Sequence, residues 1–247
     1  MRIDKGVLIN VSYEDLKLLE SNPEEFWKGV KKIGNEAFLG IDRIVHLEIP
    51  EGITSIGHSA FYNCDRLKSV KLPSSLQEIR RGAFSWCENL ESIEIPKNVI
   101  KLKETFAGCK RLKSVVLPEG LEIIGKATFW HCEKLEDINI PNSVKAIGDE
   151  AFYSCESLKD FEMSSSIEDI GVKAFCNCTS LTQVNTSKSD CVIADRAFLD
   201  CTNLEKLTIS SGTILKGGAL LNCSIIRDYK YIDKSKKTTI EEESEAE

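Results

Sequence analysis

The chain has 247 residues, 32 basic and 39 acidic side chains, a formal charge of −7, and a hydrophobic content of 42%. That composition fits a globular protein, and the acidic balance speaks against nucleic acid, whose phosphates need a basic face. No run approaches the roughly 20 apolar residues of a membrane helix, and the first residues, MRIDKGVLINVSYEDLKLLE, lack the apolar core of a signal peptide.

Residues 1–32 read as a helical N-terminal cap. In SYEDLKLLESNPEEFWKGVKK, Ser12 with Asp15 has the capping-box spacing, and Asn22-Pro23 marks a second helix start. Leu16, Leu19, Phe26, Trp27 and Val30 supply an apolar side that would cover the open end of whatever follows.

From residue 33 to 223 the chain repeats. Phenylalanines stand at 38, 61, 84, 106, 129, 152, 175 and 198, in steps of 23 residues except one of 22. Cysteines follow at 64, 87, 109, 132, 155, 178, 201 and 223. A fixed period of this length marks a solenoid, in which each unit buries its apolar side against its neighbours. Within a turn, L-x-x-I-x-L is a strand signal: Leu67, Val70 and Leu72 return as Leu90, Ile93 and Ile95. Proline ends the strand at 50, 73, 96, 118 and 141. One strand per turn, stacked, makes a parallel sheet with neighbours about 4.8 Å apart. Glycines at 34, 57, 125, 148 and 171 are expected to mark a bend with unusual backbone angles.

The recurring frame C-x-x-L-x-x-I-x-L-P-x-x-L-x-x-I-G-x-x-A-F-x-x-C resembles the BspA-type leucine-rich repeat, a bacterial and protist class. Two places depart from it: KLKETFAGC, which loses a residue and its glycine, and VNTSKSDCVIADRAF, which loses its proline and the usual leucine spacing. The resemblance implies a right-handed leucine-rich repeat solenoid of α/β type, curved and used for binding, often on cell surfaces. The expected fold has one parallel strand per turn, about eight turns, and the helical cap. Residues 224–247 read as a C-terminal strand or cap, SIIRDYKYID, followed by a disordered acidic tail, KSKKTTIEEESEAE.

The cysteines admit three readings. Zinc needs paired spacings such as C-x-x-C, and single cysteines 22 or 23 residues apart do not supply them, so no metal or other cofactor is expected. Disulfides between neighbouring rungs have a permitted Cα separation, but the stacked Cβ vectors run parallel. The favoured reading is a ladder of small buried thiols; isoleucine at position 41 stands where Cys64 stands one turn later. Cys176 and Cys191 fall outside the ladder and are the candidates for reactivity. Many free thiols suit a reducing compartment, so the sequence as it stands points to the cytoplasm, or to the cell surface or medium should an export signal precede it.

Function in a solenoid lies on exposed columns. After the first leucine of each strand come Lys68, Glu91, Lys113, Glu136 and Lys159, alternating in sign, which reads first as a ladder of surface charges. Between the inner strand residues come Lys71, Glu94, Val116, Asn139 and Glu162, and Val116 is the one apolar anchor on that face. These ten residues are the candidate partner-binding surface. A second candidate is an aromatic rim of Tyr62, Trp86, Trp130 and Tyr153, which either packs as core or offers rings to a ligand. His46, His58 and His131 fall in different columns, and no nucleophile elbow, zinc-binding helix or phosphate loop occurs, so no catalytic residue is assigned. The expected function is a non-catalytic scaffold for a protein partner. The alternatives are an adhesin or carbohydrate-binding protein, facing a glycan or a host surface protein with its aromatic rim, and a structural spacer.

Overall fold

A computed structural model describes residues 2–186, 190–224 and 228–232. From residue 32 the chain winds into stacked rungs. Long strands lie at His46–Glu48, Ser69–Lys71, Ser92–Glu94 and Ser114–Val116, and again at Asp160–Glu162, Gln183–Thr186 and Lys206–Ser210. Neighbours pair in parallel with unbroken register, Leu47 beside Val70 and Phe161 beside Val184. At the central position of each, an aliphatic or aromatic side chain is buried (Leu47, Val70, Ile93, Val115, Phe161), flanked by outward-facing residues that are polar except for Val116, as a half-buried strand requires.

Each turn carries a second strand beyond the one expected. It is two residues long, as at Ser55–Ile56, Glu78–Ile79 and Asp169–Ile170, and nine such strands among the described residues make about nine turns. Two residues cannot display an alternating pattern. What sets them is one buried aliphatic per turn, such as Ile56, Leu102 or Ile193, on the far side of the core from the long strand.

The glycines after these short strands correct the expected bend. Those at 34, 57, 125, 148 and 171 are absent from the left-handed backbone positions. They are there because rungs touch: a Cβ on Gly57 would lie 2.4 Å from the carbonyl carbon of Gly34, and one on Gly148 would lie 2.6 Å from the amide of Lys126. The third and fourth turns carry Arg80 and Lys103 at this position. There the short-strand sheet divides, one part ending at Glu78–Ile79 and the next beginning at Lys101–Leu102.

The core is a stack of phenylalanines. All eight are fully buried, with successive ring centroids 4.7 Å to 5.8 Å apart. The two widest gaps, 5.8 Å each, flank Phe106, in the turn that is one residue short. Beside the rings runs the cysteine ladder. The Cys64 thiol donates to the Phe38 carbonyl at 3.1 Å, Cys132 to Phe106 at 3.3 Å and Cys201 to Phe175 at 3.1 Å. The other five ladder thiols do the same. Ile41 fits the rule, because no phenylalanine rung lies beneath the first turn.

Two helices precede the rungs, Tyr13–Ser21, with its capping box at Ser12 and Asp15, and Pro23–Trp27. A hairpin that helix signals do not announce precedes them, Arg2–Asp4 against Val7–Asn10. Val7–Asn10 pairs in parallel with Lys32–Ile33 and so starts the short-strand sheet. Phe26 and Trp27 close the ring stack, 6.3 Å and 6.1 Å from Phe38. At the other end Asp228–Ile232 adds a parallel strand beside Lys206–Ser210; the expected acidic tail lies outside the described residues.

All ten cysteines are free, and nine are buried, including Cys176 and Cys191. Burial pushes the Cys64 thiol up to about 12 and that of the half-buried Cys223 up to about 11. Two measurements check this core. Phe129→Ala should destabilise the chain by about 3–5 kcal/mol, and an unchanged denaturation midpoint would show that the ring is not core. A thiol-disulfide reagent at pH 8 should label at most Cys223 in the native protein and all ten cysteines in denaturant, because the thiolate is the reacting form; rapid native labelling of Cys176 or Cys191 would contradict their burial.

Candidate functional site

Outward residues of the long strands stack in columns at the rung spacing. Over the first four strands one column is His46, Ser69, Ser92 and Ser114, and the other is Glu48, Lys71, Glu94 and Val116. With Lys97, Pro118 and Glu119 they line a groove of about 1210 Å³. The serines keep its floor low and offer hydroxyls that both donate and accept. His46 Nδ1 lies 2.8 Å from Ser69 Oγ, and Lys71 Nζ lies 2.6 Å from Glu48 Oε1. That carboxylate, hydrogen-bonded to the ammonium, raises the Lys71 pKa. Val116 is 59% exposed, the most open large apolar side chain among the described residues.

All ten expected strand-face residues are exposed, but they do not form one site. Lys71, Glu94 and Val116 meet in the groove. Lys68, Glu91 and Lys113 stand one residue before their strands, on the parity of the buried Val70, Ile93 and Val115, and do not line it. No ion pair joins Lys68 to Glu91, or Lys113 to Glu136, among the described residues. The fifth rung keeps a single bridge, Ser114 to Asp137, so the long strands divide there into two sheets. Glu136 and Asn139 sit at that break, and Lys159 and Glu162 beyond it. His46, Lys97 and Glu119 line the groove without having been singled out for it. His46 was legible by register, since it stands 23 residues before Ser69.

The aromatic rim is a cluster of three rings rather than four. Trp130 stacks on Tyr153 with centroids 6.2 Å apart, and Trp86 meets Trp130 edge to face at 6.1 Å. His131 packs 3.9 Å from the Trp130 ring. Tyr62 makes no ring contact with them among the described residues. Trp86 reaches Trp130 across the short turn because that turn has Ala107 and Gly108 there; a Cβ on Gly108 would come within 2.8 Å of the indole. Trp130, Tyr153 and His131 line a cleft of about 590 Å³ with Arg81, Glu104, Glu150 and Lys173. Arg81 Nε and Glu104 Oε2 close an ion pair at 2.7 Å on its rim. All three rings of the cluster are half-buried, which falls between the two readings, core or ligand platform, open from sequence.

No helix of the described residues is long and apolar enough to cross a membrane. A comparison with family models matches residues 24–132 and 102–227 to the BspA type Leucine rich repeat region, in six copies. Among solved structures, the leucine rich repeat protein TpLRR of T. pallidum is 28% identical, with 71% of this chain and 72% of that chain covered and a TM-score of 0.48. A leucine-rich repeat protein from Eubacterium ventriosum is 23% identical over 80% of this chain and 69% of that one, with a TM-score of 0.53. The pneumococcal vaccine antigen PcpA is 18% identical over 85% of this chain and 62% of that one, with a TM-score of 0.51. The last two likenesses show the fold. A comparison with curated proteins gives no match.

Proposed function

Because the chain belongs to the BspA-type leucine-rich repeat family, we propose that it is a non-catalytic binding module whose protein partner seats in the groove across the first four long strands. The observation that supports this is Val116, 59% exposed at the end of the polar column of Glu48, Lys71 and Glu94 and beside the column of serines. An apolar anchor beside a polar surface is an arrangement on which interfaces concentrate their binding energy. Both signs of charge line the groove, Lys71 and Lys97 against Glu48, Glu94 and Glu119, so recognition would rest on matched pairs rather than on a general field. Lys68, Glu91 and Lys113 flank the groove and would act on the rate of encounter. Ten free thiols support a reducing location for the chain as it stands.

A second reading, of a carbohydrate-binding or adhesive surface, draws on the cleft of Trp130 and Tyr153. Its support is that half-open aromatic rings there stand beside Glu104, Glu150 and Arg81, which could take up hydroxyl groups.

Affinity capture from native lysate, compared between wild type, Val116→Asp with Lys71→Glu, and Trp130→Ala with Tyr153→Ala, separates the readings. The expected outcome is a protein held by wild type and by the aromatic variant but released at least tenfold more readily by the groove variant, a loss of about 1.4 kcal/mol or more. Equal capture by the groove variant would remove the groove from the interface. Glycan binding lost with Trp130 and Tyr153 would establish the second reading instead.

A further inference from the structure

The first long strand, His46–Glu48, has a neighbour on one side only. The Ile49 amide donates to the Lys71 carbonyl at 3.0 Å, and the Val45 carbonyl accepts from the Lys68 amide at 2.8 Å, so the odd positions face that neighbour. Alternation along the strand turns the amides and carbonyls of His46 and Glu48 the other way. Among the described residues no hydrogen bond reaches them there. A row of unpaired backbone groups is a template for one more strand.

On that side the edge opens into a groove of about 1080 Å³ between the strand and the cap helices. Leu16, Leu19, Trp27 and Val30 form its cap wall, and Ile44 and Leu47 the opposite one. The indole N–H of Trp27, a residue of this lining, is buried and has no acceptor among the described residues. The rim is acidic: Glu20, Glu24, Glu48 and Glu51 outnumber Lys31 and Arg43. Arg43 is already engaged over the Tyr13 ring at 4.9 Å.

We propose that this edge is a second binding site, which takes an extended peptide of a partner protein as an added strand, with apolar side chains alternating with Lys or Arg. The alternation follows from the host strand. Every second residue of an added strand would continue the buried row of Leu47 onto Leu19, Trp27 and Val30. The residues between would continue the outward row beside Glu48, which on its other side already takes Lys71 at 2.6 Å. Backbone bonds to His46 and Glu48 would give affinity, and the alternating contacts specificity. The site adjoins the Val116 groove but does not depend on it.

The probe is a fluorescein-labelled octapeptide, Lys-Val-Lys-Val-Lys-Ile-Lys-Val, with an analogue N-methylated at alternate amides and one with Glu for Lys. Anisotropy should show binding to the full chain, at least tenfold weaker for both analogues. Hydrogen exchange should show His46 and Glu48 amides that exchange freely in the free protein and become protected with peptide. His46→Pro removes one outward N–H, a change that edge strands tolerate, and should weaken binding without moving the melting temperature. Val116→Asp should leave peptide binding unchanged, which keeps this site distinct from the groove. The proposal is overturned if millimolar peptide does not bind, if the N-methylated analogue binds as well as its parent, or if the two amides stay unprotected. Concentration-dependent protection without peptide would give the edge to a second copy of the chain and overturn it too. Should His46→Pro unfold, the N-methylated peptide on wild type decides alone.

Discussion

Each turn has to set its phenylalanine on the ring of the turn before, and the backbone spacing of parallel strands, about 4.8 Å, leaves little latitude. Ring centroids between 4.7 Å and 5.8 Å show how closely the chain keeps to it. The other repeated residues serve the same constraint. Each phenylalanine carbonyl accepts the backbone N–H of the residue three positions on in its own turn, as Phe61 does from Cys64 at 3.2 Å, and its second lone pair is still cut off from water. Cysteine adds a second donor from the next turn at 3.1 Å to 3.3 Å, with a side chain small enough for the tight corner. Glycine serves it where backbones come nearest. With Arg80 and Lys103 in the glycine position, the rungs still stack but their short strands no longer pair.

Much of this was legible because repetition multiplies a weak signal. One phenylalanine after a small residue says little, but eight in step, six of them after alanine and two after threonine, announce a stack, and the prolines and inner aliphatics placed the long strands. What escaped was set by neighbours rather than by the turn itself. The short strands exist because Ile56 lies beside Ile33 and Ile79, and two residues show no period of their own. The glycines looked like bends because a sequence shows a residue's freedom and hides what presses on it. The Val7–Asn10 strand was hidden among helix signals because its partner, Lys32–Ile33, lies beyond both helices.

The site divided along the same line. Val116 and Lys71 could be placed together by counting in steps of two from a buried residue. Lys68 and Glu91 look like their equals in the repeat, yet they fall where the chain is still turning into the strand, one residue too early to face the groove. The break at Asp137 limits the groove to the first four long strands. A column written down the page assumes an unbroken sheet, and only the structure shows where the sheet stops.

Departures from the repeat mark where this scaffold stops being generic. The second left-handed position of each turn usually holds a residue suited to it: Gly40, Asn63, Gly108, Asn177, Asp200 and Asn222. Trp86 and His131 take the same backbone, with φ of 63° and 54°, where a large ring is disfavoured by about 1–3 kcal/mol. Both turn out to be packed. Trp86 lies on Gly108 and against Trp130, and His131 lies on Trp130 with Glu133 Oε1 at 3.8 Å. The strain is therefore offset locally, and the turn that lost a residue and kept Ala107-Gly108 is what makes room for it. The backbone strain of Trp86 and His131 is met by ring contacts at the surface of the turns, where the phenylalanine stack beneath does not reach.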